Sequence, residues 1–260
     1  PQLVITDLLP HLGREQGKKP LNEAIPSESL NILMGSRPEA DDDGKDRVKL
    51  SVLRILNEKY GIVEEDFISA ELEAVPAANA RDIGLDRSMI GAYGQDDRIC
   101  AYTAMMAEMQ AKTPEYTTVT ALVDKEEIGS EGNTGMNSDF LKHYLERLAQ
   151  MQEADAKDLC EHALCLSSDV NAAYDPTFAD VFEANNSCYI NKGCVLTKYT
   201  GARGKSASND ASAETMAKVI GIMEAEGVYW QAGELGAVDQ GGGGTIAKYV
   251  AHLNIDVVDL

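Results

Sequence analysis

Basic charge is scarce in this 260-residue chain, where 23 Lys and Arg stand against 43 Asp and Glu for a formal net charge of −20. Neutralising phosphates needs clustered Lys and Arg, so the balance argues against a nucleic-acid binder. It also disfavours docking on an anionic membrane surface. No apolar run approaches the length of a bilayer-crossing helix. No charged segment followed by an apolar stretch opens the chain, so no secretory signal is visible. The five cysteines (Cys100, Cys160, Cys165, Cys188 and Cys194) form no CxxC pair. They read as reduced, mostly buried thiols of a cytoplasmic protein. Internal repeats and low-complexity segments are lacking too. Pro1, standing where an initiator Met would, and the strand-like ending at Leu260 read as a processed chain or as part of a longer one.

What is present is an ordinary globular mixture, 44% hydrophobic and 25% charged. The length suits one large domain or two smaller ones. Residues 1–88 differ from the rest. Gln2–Leu9 is a short strand-like run, and a polar loop with Gly13, Gly17 and Pro20 follows it. The acidic stretch 38–46 reads as a solvated surface loop. Val48–Tyr60 has helical spacing, and Asp66–Val75 alternates as a half-buried strand would. From about Ile90 the chain alternates helices and strands. Helices are expected over Arg98–Lys112 (its Met-rich stripe serving as core filler), Asp139–Met151 with Ser138 as N-cap, Ser212–Ala225 and Thr245–Leu253. Strands are expected at Thr117–Val123 (buried), Leu164–Ser167, Cys194–Tyr199, Val228–Gln231 and Ile255–Leu260. This order predicts an α/β fold, a mostly parallel sheet flanked by helices, with functional groups in loops at the carboxyl ends of strands.

Three acidic clusters fall in such places: Gly94-Gln-Asp-Asp-Arg98, Asp124-Lys-Glu-Glu-Ile-Gly-Ser130 and Ser167-Ser-Asp169. Converging carboxylates repel one another and are costly to desolvate unless a cation sits among them. An adjacent Glu pair can divide two tasks, one carboxylate binding a metal while the other takes a proton from water. Taken singly, an EE pair is also an ordinary surface feature and an SSD triplet an ordinary turn or cap. The glycine run Gly241–Gly244 before Thr245 could hold an anion on its amides, or simply turn. It is no Walker A loop, since no GK[ST] follows. Lys198, Arg203 and Lys205 form a basic patch that either faces a substrate or neutralises acidic neighbours.

The string VDKEEIGSEGNTGMNS (Val123–Ser138) resembles the aspartyl-aminopeptidase and aminopeptidase I family of dinuclear zinc metallopeptidases. GQDDR before it, SSD after it and QGGGGTIAKY (Gln240–Tyr249) fit the same resemblance. It implies that residues 1–88 are part of a smaller mixed α/β domain inserted for oligomerisation and substrate access. Residues 89–260 would then be most of a zinc-exopeptidase-like catalytic domain. Carried over by position, Asp96 is the carboxylate bridging two metals, Glu127 a ligand of one, Asp169 a ligand of the other and Glu126 the general base. Asp97 is expected to orient a neighbour, or to favour a helix start. The implied reaction is removal of the N-terminal residue from peptides, with Glu126 shuttling a proton for a water that bridges the two zinc ions. Carboxylate-rich sites also accept cobalt or manganese. The resemblance further implies a homo-oligomer, a dodecamer, in the cytoplasm.

Two further ligands in that family are histidines, and His11, His143, His162 and His252 match neither position. His143 and His162 read as surface residues and His252 as structural. His11 resembles a segment that reaches a neighbouring subunit's active site, or is a plain loop-end histidine. The alternative function is therefore a catalytically inactive fragment or truncated paralogue serving as an assembly or binding module. A phosphate-binding α/β enzyme using the glycine run is a third.

Overall fold

The structure is a computed structural model and describes residues 2–40 and 44–260. The middle of the acidic stretch 38–46 thus lies outside the described residues. The chain divides into two compact units, Pro1–Ala80 and Arg81–Leu260.

In the first unit β1 (Val4–Ile5) pairs antiparallel with β2 (Ile32–Leu33), Val4 opposite Leu33. Between them lies a single helical turn, α1 (Leu21–Ala24). The expected helix forms as α2 (Arg47–Tyr60) and stops at Gly61, whose amide bonds to the Asn57 carbonyl. The Arg47 guanidinium donates to the Glu39 carbonyl oxygen and anchors the start of α2. The strand expected over Asp66–Val75 does not form. Glu64–Ile68 is a 3-10 turn and residues 69–80 are irregular and exposed. The Asp66 carboxylate accepts from the Val63 amide at 2.8 Å, and three acids in the first turn suit the positive end of a helical turn. No strand among the described residues lies beside this segment to pair with it, and alternation without a partner does not make a strand.

The second unit opens with a hairpin, β3 (Arg81–Ile83) and β4 (Met89–Gly91), Arg81 opposite Gly91. Then come α3 (Gln95–Gln110), α4 (Phe140–Met151), α5 (Ala156–Glu161) and β5 (Leu164–Ser167). The order continues with β6 (Cys194–Leu196), α6 (Ala213–Ala225), β7 (Trp230–Ala232), α7 (Ala247–Ala251) and β8 (Asp256–Asp259). The strands β5 and β8 run parallel, as do β6 and β7. An antiparallel bridge between Thr197 and Asp259 connects the two pairs. The α/β class and parallel pairing agree with the sequence reading, but pairing is by twos with a bridge between.

Strand β8 carries the core because its side chains alternate between two apolar layers. Val257 joins Met136, Leu145, Ala247, Val250 and Ile255 beneath α4 and α7. Val258 joins Leu196, Ala211, Val219 and Met223 beneath α6. The Ser212 hydroxyl caps α6 by accepting from the Thr215 amide at 3.0 Å. At α4 the N-cap is Asp139, while the Ser138 hydroxyl accepts from the Phe140 amide at 3.4 Å.

Two expectations fail here. Residues 117–123 form no strand, and Leu122 is 59% exposed, although Val123 packs on the first core layer. Two parallel neighbours are needed to make such a run a buried strand, and none flanks it among the described residues. Its Thr118 and Thr120 hydroxyls instead donate to the Glu108 carboxylate of α3. The α3 stripe likewise stays open, with Ile99, Tyr102, Met105 and Met109 all exposed. All five cysteines are free, with Cys188 buried, Cys194 exposed and the others half-buried. No helix among the described residues is long and apolar enough to cross a membrane.

Val258 is fully buried while Leu166 of the neighbouring strand is 48% exposed. Val258→Ala is expected to cost about 2 kcal/mol in urea unfolding, and Leu166→Ala less than about 0.5 kcal/mol. Equal losses would contradict the placement of the core.

Candidate metal centre

The carboxylates are brought together by two segments with unusual backbone. Gly94 takes a left-handed conformation before α3, and the first turn of α3 is irregular, with Asp96 at φ −68°, ψ 117° and Asp97 at φ 96°, ψ −35°. A positive φ on an Asp costs about 1–3 kcal/mol and persists only where surrounding structure enforces it. The second segment is a 3-10 turn, Glu126–Ile128, flanked by left-handed Lys125 and Gly129. The Ser130 amide closes it onto the Lys125 carbonyl at 2.7 Å, and the Asn137 amide donates to the Ser130 carbonyl. Gly135 is obligatory there, since a Cβ would stand 2.1 Å from the Ser130 carbonyl oxygen.

These two turns place one carboxylate oxygen each from Asp96, Asp97 and Glu127 within 4.8 Å of one another. Asp96 and Glu127 thus meet. Asp97, expected to stand behind them, joins the same triangle. Three oxygen donors of like charge at that spacing are a fitting donor set for a divalent cation, zinc included. No histidine belongs to this group among the described residues. All four histidines are exposed, in loops (His11), in α4 (His143) or at the ends of α5 and α7 (His162, His252).

Glu126 and Asp169 lie outside the triangle but within its field. Burial first, then the charges of Asp169, Glu127, Asp97 and Asp96, raise the Glu126 carboxyl above the usual range. A carboxyl so raised holds a proton more readily than an ordinary Glu. Asp169 follows β5, where its amide donates to the Leu260 carbonyl at 3.2 Å. Burial pushes its carboxyl up to about 6, the Val170 amide opposing at 2.7 Å and the charges of Asp96, Asp259 and Asp97 adding to the rise.

The glycine run does not bind through free amides. Gly241 donates to the Ala237 carbonyl, Gly242 to Leu235 and Gly243 to Thr200, at 2.6–2.8 Å. Three of its four amides are spent internally, which overturns the anion-cradle reading. What the run needs is closeness: at Gly242, φ 89°, a Cβ would lie 2.3 Å from the Gly201 carbonyl oxygen. In the basic patch, Lys198 and Lys205 both pair with Asp210, at 2.5 and 2.6 Å.

Sequence reasoning missed two carboxylates. Asp259 ends β8 and is raised by burial, with Thr245 and Ser167 pulling the other way. Glu234 follows β7, and burial pushes it up to about 7 against the pull of Lys198 and Lys205, with Asp210 and Asp259 adding to the rise. The available signal was an acid closing or following an apolar strand.

The fold and this acidic group define an α/β protein with a candidate cation site of oxygen donors, built from the first turn of α3 and the 3-10 turn at Glu126–Ile128. A family model described as "Aminopeptidase I zinc metalloprotease (M18)" matches residues 1–260, and the chain belongs to that family. A probable M18 family aminopeptidase 1 from Clostridium acetobutylicum is 49% identical over 263 residues, covering 100% of this chain and 57% of the relative. Its counterpart from Thermotoga maritima is 47% identical over 265 residues, covering 100% and 58%. The crystal structure of the Thermotoga maritima M18 aminopeptidase superposes with a TM-score of 0.92 at 46% identity, covering 99% of this chain and 57% of that one. For the Clostridium acetobutylicum aminopeptidase I structure the TM-score is 0.89 at 49% identity, covering 100% and 57%. The chain therefore spans a little over half the length of these relatives.

Glu234 supplies a test of the electrostatics away from the carboxylate triangle. Its folded-state pKa of about 7 lies above the ordinary 4.5, so the folded protein binds the extra proton between those values and loses stability as pH rises through that window. Glu234→Gln is expected to stabilise the metal-free chain above pH 7 by on the order of 1 kcal/mol after solvent screening, with the gain gone below about pH 4.5. A pH-independent difference in thermal unfolding would refute this.

Proposed function

We propose that the chain works as part of a zinc-dependent aminopeptidase that removes the N-terminal residue from peptides. The observation that carries this reading is the triangle of Asp96, Asp97 and Glu127 with the raised carboxyl of Glu126 beside it. Membership of a family described as zinc metalloproteases supports it. In this reading Asp96, Glu127 and Asp169 hold two ions, with Asp97 close enough to contribute. Zinc, or cobalt or manganese in its place, supplies Lewis acidity to a peptide carbonyl and lowers the pKa of water. Glu126 accepts a proton on its carboxylate from the attacking water and hands it to the leaving amine nitrogen. Residues 1–88 serve oligomerisation and substrate access and residues 89–260 catalysis. The compact units part at Ala80–Arg81, one hairpin earlier. A homo-oligomer, a dodecamer, is part of the proposal, supported by a fold relative solved as the S. cerevisiae mApe1 dodecamer. A cytoplasmic setting is supported by the five free cysteines.

Glu126→Gln is expected to retain metal, measured by calorimetric titration, while cutting turnover of an aminoacyl-anilide by roughly 10²-fold or more. Turnover equal to the unsubstituted protein would overturn the assignment.

That no histidine among the described residues joins the carboxylate group favours a second reading, an inactive assembly or binding module. Zinc stoichiometry separates the two. Carboxylates alone are expected to hold zinc weakly, and two tightly held ions per 260-residue chain would contradict the module reading.

A further inference from the structure

The end of β8 contains a buried acid that the proposed chemistry does not use. Asp259 is 3% exposed, and among the described residues no Lys or Arg pairs with it. An apolar residue would fill that place without the desolvation penalty of a carboxylate. Its environment shows what the carboxylate does instead. Oδ1 accepts from the Thr245 hydroxyl at 2.6 Å, its backbone carbonyl accepts from the Thr197 amide at 3.0 Å, and it stands opposite Ser167 in the parallel register. One residue on, Leu260 donates to the Ser167 carbonyl at 2.9 Å and accepts from the Asp169 amide at 3.2 Å. On the far side, Thr245 directly follows the glycine run, whose Gly243 amide reaches the Thr200 carbonyl at 2.8 Å. A continuous line of hydrogen bonds thus joins the Asp169 loop to the glycine run, and the Thr245–Asp259 bond is the side-chain link that carries it to the glycine run.

We propose that Thr245 and Asp259 form a positioning pair that locks the Asp169 loop to the glycine run, so that neither segment shifts alone. The functional consequence rests on the reading of Asp169 as a metal ligand; the coupling itself does not. Thr245→Val keeps the shape and removes only the hydroxyl, and Thr245→Ser keeps the hydroxyl.

Residue-resolved amide hydrogen exchange on the metal-free 260-residue chain reads the coupling. In Thr245→Val, exchange at Asp169 and Leu260 is expected to accelerate about tenfold together with Gly242 and Gly243, while α6 stays within about twofold. Thr245→Ser is expected to restore the original rates. Acceleration confined to residues 241–246 would overturn the proposal. So would equal acceleration of α6 or a failure of Thr245→Val to fold, either of which would make the pair a general stability element. Zinc titration then separates the two readings. A roughly five- to tenfold loss of affinity in Thr245→Val supports both. Coupled exchange with unchanged zinc affinity supports the positioning pair and removes Asp169 from the ligand set.

Discussion

Burial of β8 on both faces is the constraint from which the second unit is built. Val257 and Val258 alternate between two apolar layers, one roofed by α4 and α7 and the other by α6. The strand therefore cannot slip by one residue without exchanging its two layers. With the register held, the strand's last residues stand beside β5 through Ser167 and beside Thr197 after β6. Packing in the interior thus decides where the polar ends of three strands meet, and the Asp169 loop follows directly from the end of β5.

The centre is assembled against its own electrostatics. Asp96, Asp97 and Glu127 repel, and Asp97 is additionally held at a positive φ. Partial exposure relieves the repulsion, because water screens charges that a dry site would not tolerate. Where burial is greater the price appears as proton affinity: Asp169 rises to about 6 and Glu234 to about 7.

Glycine and lysine took roles different from the ones their motifs suggest. A glycine run before a helix invites an anion, yet its amides bond to Ala237, Leu235 and Thr200, and its bareness serves close packing on Gly201. The lysines of the basic patch converge on Asp210. In both cases the nearest internal partner satisfied the group.

The sequence by itself determined the elements whose signals are local. The helical spacing of Val48–Tyr60 and Ser212–Ala225, the apolar run ending in Val257-Val258, and the acidic motif after the strand Leu164–Ser167 all sit where their patterns place them. Periodicity and capping act within a few residues, so no partner is needed to read them. The tertiary structure decided whatever depends on a neighbour. Residues 66–75 and 117–123 carry strand patterns but have no strand beside them, so they are not strands. Asp97 enters the carboxylate triangle because of its own φ, and Asp259 gains its place from Thr245 and Leu260, which meet it through the register of β8. Which oxygens approach one another is set by through-space packing, and no spacing along the chain encodes it.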